Sequence, residues 1–465
     1  MKYRTTRKAT VRLAVCLMTA SALVPAVAQA KTGESVEQRL DRLEAMIVSL
    51  QQQMNTGQAP SAQQAEAVSQ LRSAVEATRA QNQQLAAQQT ETEARVAQVE
   101  KTSSADGFSV GDTRVTLGGY IKLDGKTIRT GGGQMANGSV GRDFLLPGLI
   151  PVGGAASGWD TDFHARQSRI IVKTSTPVGD KSVGTHLELD FMTTSGGDQR
   201  VSNSYSPRMR QAFITYDGWL FGQAWSTFQN VSALPDTLDF VGTMPGTVFV
   251  RQPMIRYKSK GGLSVAIENP ETTLTSATGA RIQPGDDKLP DIVLRYDKSG
   301  FAIAGIVRQL TASDAILPSS DSAVAYGVSV SGVVPLGGKD DLRFMATAGK
   351  GLGRYMGANI VNDAAIDTSG KLDPIATYSG FAAYRHFWGP KLRSTIAGSY
   401  FKADNPVLLT GNTPTDEVWN ALANIIYSPV PKLDLGIEYM YANRKNEAGL
   451  DGNLQQVQVS AKYAF

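Results

Sequence analysis

The chain ends in a run of residues whose side chains alternate between apolar and polar. A period of two residues indicates an extended strand with one apolar and one polar side. An edge strand of a soluble sheet shows the same pattern, so the rest of the chain decides whether the apolar side meets a protein core or lipid. The apolar positions are Val457, Val459, Ala461, Tyr463 and Phe465, and the polar positions are Gln456, Gln458, Ser460 and Lys462.

From about residue 111 onward, similar alternating segments recur, joined in turn by short and long connections. Tight turns such as 177–180 and 335–338 alternate with much longer loops, as in outer-membrane barrels with short periplasmic turns and long outside loops. The pattern predicts an all-β transmembrane barrel of about sixteen antiparallel strands over 111–465, wide enough for an aqueous channel. The predicted strands are 115–128, 166–176, 182–194, 208–217, 220–226, 249–259, 262–269, 290–298, 300–310, 322–335, 340–350, 373–387, 390–402, 416–428, 432–443 and 453–465.

The N-terminus carries the features of an export signal. Five Lys and Arg residues precede an apolar stretch at 13–27, and Ala28-Gln29-Ala30 supplies a small-x-small cleavage pattern. Residues 1–30 are therefore predicted to be a signal peptide. The single cysteine, Cys16, lies within it, so the remainder of the chain offers neither a disulfide nor a thiolate metal site. Removing the five cations changes the formal charge from +4 to −1, which removes the argument for a nucleic-acid partner.

Residues 31–104 lack aromatic side chains and show a different periodicity. Apolar residues recur at steps of four and three between Val36 and Met54, and again between Val68 and Val99, which predicts a periplasmic α-helical coiled coil. Gly57 and Pro60 predict a break near 55–62. A polar, partly disordered linker is the alternative. A coiled coil joined to a barrel indicates an oligomer, expected to be a homotrimer, and contact with peptidoglycan is left open as an added structural role of the helices.

Strand alternation also assigns side chains to the barrel lumen. Arginine forks match carboxylates bidentately, and a positive wall lowers the barrier for anions entering a narrow pore. The alternative is that charged side chains line the lumen of any wide barrel, and inward acids such as Glu188 and Asp434 accompany them. The predicted solute-binding residues are Lys122, Arg169, Arg210, Arg256, Arg295, Arg308, Arg343, Arg385 and Arg393.

A long connection at about 227–248 interrupts the regular alternation of strands and turns. Loops of this length within a compact domain are usually functional. The segment is predicted to form the constriction, with Asp236, Asp239 and Phe240 as its candidate residues. Two positions are open to it, either folded into the lumen or lying over the contact between subunits.

Three sequence stretches resemble one family of outer-membrane proteins. The stretches are 222–228 (GQAWSTF), 235–240 (PDTLDF) and 251–257 (RQPMIRY), and they resemble the DcaP-like outer-membrane porins. The resemblance implies a trimeric sixteen-stranded barrel, preceded by a periplasmic coiled coil, that passes negatively charged organic acids. It therefore implies dicarboxylates as the solutes and the bacterial outer membrane as the location.

Other functional classes fit the sequence less well. The three histidines lie on separate predicted strands and no nucleophile or metalloprotease motif accompanies them, so we predict no enzyme activity, no catalytic residue, no cofactor and no metal site. The expected partners are other copies of the chain, outer-membrane lipid and lipopolysaccharide, and small anionic solutes. The alternatives left open are a general non-selective porin and a trimeric outer-membrane anchor or adhesin.

Overall fold

The structure is a computed structural model that describes residues 107–193, 199–312, 321–367 and 369–465, with a scattered set of helical residues between 41 and 80. The chain divides into two compact units, 1–102 and 103–465. The predicted signal peptide, with Cys16, lies outside the described residues.

The second unit is a closed antiparallel barrel of sixteen strands. It closes because β1 pairs with the last strand on one side and with both segments of β2 on the other. The strands are β1 (Thr113–Thr130), β2 (Asp160–His164 and Arg169–Val178), β3 (Lys181–Asp190), β4 (Arg208–Tyr216), β5 (Trp219–Trp225), β6 (Arg251–Lys258), β7 (Leu263–Glu268), β8 (Asp291–Lys298), β9 (Phe301–Ala312), β10 (Asp321–Gly337), β11 (Asp340–Lys350), β12 (Ala376–Phe387), β13 (Leu392–Asp404), β14 (Thr415–Tyr427), β15 (Leu433–Asn446) and β16 (Asp451–Ala464).

The predicted barrel of about sixteen strands is thus confirmed. The strands with the clearest alternation were placed within a few residues: β9 was predicted at 300–310 and spans Phe301–Ala312. β2 differs from its prediction because an additional segment, Asp160–His164, pairs with the other end of β1.

The outer side of the barrel wall is apolar, whereas its inner side combines polar residues with apolar ones that pack against the inward loops. On β8, Ile292 and Leu294 are 54% and 51% exposed, whereas Val293 between them is fully buried. Exposed aromatic side chains also mark the end of the barrel that carries the short turns. Such a surface suits lipid, because the outward apolar side chains are more stable against hydrocarbon than against water. The aromatic residues at this end include Tyr216, Trp219, Tyr257, Tyr296, Tyr384, Tyr427 and Tyr463.

Long loops fold into the barrel and build its core there. Residues 226–250 contribute Phe228 and Val248 to one apolar cluster, which the loop after β11 completes with Tyr355 and Met356. The loop after β1 contributes Phe144 and Leu145 to a second cluster. Four short segments form a separate four-stranded sheet that the sequence did not predict. They are Leu274–Thr275, Arg281–Ile282, Ala364–Ile366 and Leu372–Pro374.

The described residues between 41 and 80 are helical. Ile47 and Val75, both seam positions of the predicted heptads, are buried. Arg79 pairs with Asp41 at 3.0 Å and with Glu44 at 2.8 Å, so the two helical blocks contact one another within one chain. The break near 55–62 and most of the seam lie outside the described residues, and the coiled coil stays a prediction. None of the helices in the described part of the chain combines the length and hydropathy needed to cross a membrane.

Candidate channel lumen

The loop between β5 and β6, residues 226–250, crosses the lumen and is held there by polar side chains of the wall. The Glu438 carboxylate on β15 accepts hydrogen bonds from the backbone N–H groups of Leu238 at 2.8 Å and Asp239 at 3.0 Å. Asn424 and Asn420 on β14 donate to loop carbonyls at 2.9 Å and 2.8 Å. Of the two positions considered for this loop, the structure shows the inward one.

The three candidate constriction residues have different environments. Asp239 is buried, pairs with Lys126 at 3.1 Å and accepts the N–H groups of Val241 and Gly242, so it holds the loop in shape. Phe240 packs against the Phe144 ring, with centroids 5.1 Å apart. Asp236 and Phe240 both keep partly exposed side chains, Asp236 at 22%. Of the three candidates, these two therefore have side-chain surface to offer to a constriction.

Three of the predicted solute-binding residues are buried and form ion pairs with acidic side chains. Arg308 is 2% exposed and contacts Asp291 at 2.9 Å and Asp363 at 2.8 Å. Arg210 lies between acids in the same way, and Lys122 pairs with Asp124 at 3.0 Å. A buried charge is tolerated when it is paired and its donors are satisfied. These three cations are occupied in fixing strands and loops, so they offer little to a passing solute.

Five of the six remaining arginines form a cluster at the short-turn end of the lumen. Arg256, Arg295, Arg343, Arg385 and Arg393 all lie within a few residues of a tight turn. Lys258 and Lys462 face the same space, and we call these seven residues the basic vestibule. Among the described residues, their side chains pair with four acids, which are Asp236, Asp297, Asp341 and Asp434.

The acids of the vestibule are shared. Asp341 pairs with both Arg343 and Arg385, and Asp434 pairs with both Arg393 and Lys462. Arg256 has no acid within ion-pair distance among the residues that the structure describes. The vestibule therefore carries an excess of positive charge, which is smaller than the number of arginines suggests.

A cavity of about 220 Å³ lies beside the vestibule, between loop residues 234–241 and the wall. Its wall side includes Tyr120 and Lys122 from β1, Gln167 and Arg169 from β2, and Lys462 from β16. Arg169 pairs with Glu188 at 3.1 Å and stacks over the Tyr120 ring at 5.1 Å. Of the predicted solute-binding residues, Lys122, Arg169 and Arg393 line this space.

Two residues important for this geometry were not among the predicted site residues. Lys126 holds the loop through Asp239, and Gln167 lines the cavity. Lys126 lies on the same side of β1 as Lys122 and Asp124, so alternation alone could have found it. Gln167 precedes Arg169 in the bend of β2, and no periodic signal distinguishes it.

The comparisons with known proteins agree with this architecture. The family model of the DcaP outer membrane protein matches residues 46–465. The chain belongs to this family. It is an outer-membrane protein of a channel family, and the resemblance drawn from the sequence is confirmed.

One solved structure of a channel shares the fold, and two others are similar to a lesser degree. The outer-membrane channel DcaP of Acinetobacter baumannii is 24% identical, with a TM-score of 0.64 over 77% of this chain and 100% of that chain. OmpT of Vibrio cholerae (loop L8 deletion mutant) is 12% identical, with a TM-score of 0.44 over 76% of this chain and 100% of that one. OmpF of Salmonella typhi in complex with daunomycin is 14% identical, with a TM-score of 0.45 over 77% and 99%. A comparison with curated proteins found no match.

Metal-ligating side chains are dispersed over the described ranges of the chain. No three His, Cys, Asp or Glu side chains in those ranges are grouped so that they could hold a metal ion. The histidine on β3, His186, stacks on Phe213 with ring centroids 4.8 Å apart and neighbours Glu188 at 3.4 Å. The arrangement fits a side chain packed against the wall.

Proposed function

We propose that the protein is an outer-membrane diffusion channel that favours small organic anions, dicarboxylates among them. The observation that carries this proposal is the excess of cations over acids in the basic vestibule, where Arg256 has no acidic partner among the described residues. Positive side chains around a narrow aqueous path raise the local concentration of anions and lower their barrier to entry.

The pairing of the other vestibule arginines supports a moderate preference. Each shared acid cancels part of the positive potential that reaches a solute. This partial cancellation of charge also favours one alternative, a general porin with little selectivity. Salt also limits the distance over which the arginines attract an anion, because their electrostatic potential decays over about 8 Å at physiological ionic strength.

The test is the zero-current potential of the purified protein in a planar bilayer under a potassium chloride gradient. We expect the sign of an anion-selective pore. Arg256→Gln is expected to move the zero-current potential toward zero. Arg256 has no acidic partner among the described residues, so its removal lowers the positive charge of the vestibule without freeing an acid. Arg281→Gln is the matched control, since Arg281 lies in a loop segment outside the barrel strands and contacts Asn362 at 2.7 Å.

Each outcome has a consequence. A cation-selective potential in the unmodified protein would refute the anion preference and leave a general porin. Equal shifts in Arg256→Gln and Arg281→Gln would show that the vestibule does not set selectivity. Absence of pores would favour the anchor function.

We also propose that the channel is a homotrimer, and hydroxyl groups on the outer side of β2 and β3 support contact with another copy. Threonines lie among the outward residues of β2 and β3. Thr174 and Thr185 are bonded to one another at 2.7 Å on the outer side of the wall. Hydroxyl groups suit a protein interface better than hydrocarbon.

A further inference from the structure

The outer side of the barrel wall carries an apolar groove over β8 to β12. Its volume is about 710 Å³, which lies within the range of ligand-binding clefts in proteins. Gly305 on β9 and Ala348 on β11 lie on either side of Val328 on β10, and neither side chain extends beyond a methyl group. Tyr326 and Tyr378, both more than half exposed, border these small residues. The groove is therefore a depression in the lipid-facing surface, outside the lumen.

A single lysine lines this groove, at its long-loop end. Lys350 is the last residue of β11, where it is exposed and pairs with Tyr326 on β10 and Ala376 on β12. No acid among the described residues lies within ion-pair distance of its ammonium. The first outward acid along this row is Asp404 on β13, two strands away, or about 10 Å at the usual strand spacing. Lys350 thus places an uncompensated positive charge on the outer wall.

The position of Lys350 along its strand indicates the depth of its ammonium in the membrane. β11 has eleven residues, a length that crosses a bilayer once when the strand is tilted. The outward residues from Leu342 to Ala348 are all apolar, so Lys350 is the first charge beyond the hydrocarbon. Barrels of the outer membrane turn their long loops to the outside, so this charge meets the headgroups of the outer leaflet. A lysine there keeps its stem on apolar surface and extends its ammonium to the headgroups.

The groove faces away from the subunit contact proposed above. The hydroxyl groups of that contact lie on β2 and β3, whereas β10 and β11 come eight strands later in a barrel of sixteen. Eight strands correspond to half the circumference of the barrel. In such a homotrimer, the groove is therefore covered by lipid and not by another copy of the chain.

We propose that this groove binds lipid A, the phosphorylated lipid of lipopolysaccharide, with one phosphate against Lys350 and one acyl chain over Gly305 and Ala348. An ammonium binds phosphate as a point charge, and its attraction to an anionic headgroup is strongest close to the membrane surface. An acyl chain that fills a depression gains dispersion contacts that a flat wall does not give. The inference concerns the outer wall and goes beyond the proposed channel function.

The experiment is native mass spectrometry of the purified full-length protein in a nonionic detergent, titrated with hexa-acyl lipid A. Lys350→Gln removes the charge, and losing a hydrogen bond to a charged group is expected to weaken lipid A binding about tenfold. Lys445→Gln is the matched control. Lys445 also faces outward at the long-loop end, on β15, but its partners across the sheet are Glu417 and Asp451, which compensate its charge.

A second pair of variants tests the acyl-chain contact. Gly305→Leu fills the groove and leaves Lys350 unchanged, so it is expected to weaken lipid A binding severalfold. A Cβ atom at Gly305 meets no other atom closer than 3.9 Å, so the wall accommodates the new side chain. Gly398→Leu is its control, because Gly398 lies on the outward side of β13 and does not line the groove. This control is expected to bind lipid A like the unmodified protein.

Three results would overturn the proposal. Lipid A affinity in Lys350→Gln equal to that of Lys445→Gln would exclude the phosphate contact. Equal affinities in Gly305→Leu and Gly398→Leu would exclude the groove as the acyl-chain site. Crosslinked multimers of Val328→Cys in membranes treated with a short bis-maleimide would show that another copy covers the groove.

The lipid site and the anion preference are tested separately. Lys350 lies outside the lumen, so Lys350→Gln is expected to leave the zero-current potential in potassium chloride unchanged. A cation-selective potential in the unmodified protein, with lipid A binding still dependent on Lys350, would refute only the anion preference.

Discussion

The attachment of the inward loop to β15 gives a direct test of how the lumen is shaped. Glu438 is 1% exposed and accepts hydrogen bonds from the N–H groups of Leu238 and Asp239 and from Asn424. Glu438→Gln keeps one acceptor oxygen and turns an NH₂ donor toward the second backbone N–H. Losing one hydrogen bond to a charged group costs about 2 kcal/mol, which raises the population of the locally detached loop about thirtyfold.

The assay is single-channel recording at fixed voltage. We expect Glu438→Gln to show larger current fluctuations and more frequent conductance changes than the unmodified channel, because the detached loop segment alters the open cross-section. Glu417→Gln is the matched control, since Glu417 lies on the outward side of β14 and accepts from the Tyr400 hydroxyl at 3.0 Å. Current traces of Glu438→Gln indistinguishable from those of Glu417→Gln would refute the view that this carboxylate holds the loop in place.

Two further predictions concern stability and assembly. Lys126→Met leaves the buried Asp239 carboxylate without its cation, which is expected to lower the free energy of unfolding by about 3–5 kcal/mol. The temperature at which the folded barrel band disappears in gel electrophoresis is expected to fall. An unchanged temperature would show that this ion pair does not stabilise the barrel. Thr185→Cys on β3 is expected to give crosslinked multimers in membranes treated with a short bis-maleimide. Ala421→Cys, which faces outward on β14, is expected to stay monomeric under the same treatment. The opposite pattern would place the subunit interface on the other side of the barrel.

The strands were predictable because a membrane barrel imposes a simple rule on its sequence. Each strand must present apolar side chains to lipid and polar ones to the lumen, so alternation survives without any knowledge of neighbours. The segment around Arg295 shows this, with Ile292 and Leu294 outward as predicted. The tight turns showed where one strand ends and the next begins. Together, the alternation within strands and the positions of the turns predicted about sixteen strands.

The contents of the lumen were not predictable in the same way. Phe144, Leu145 and Tyr355 lie in loops without periodic pattern, yet they are buried inside the barrel. The position of a loop residue depends on the path of the loop through the lumen. The alternation of apolar and polar residues in the strands carries no information about that path. The short four-stranded sheet was missed for the same reason, because its segments have only two or three residues each.

By itself, the sequence determined the barrel, its strand number, the inward direction of the arginines and the family to which the chain belongs. The tertiary structure alone decided which of those arginines remain available to a solute. Alternation places Arg308 on the lumen side of β9, but Asp363, 55 residues away, neutralises it only because a loop returns into the barrel. Arg256, predicted by the same pattern, meets no such acid among the described residues. Charge compensation depends on contacts between distant segments, which a local pattern of side chains does not encode.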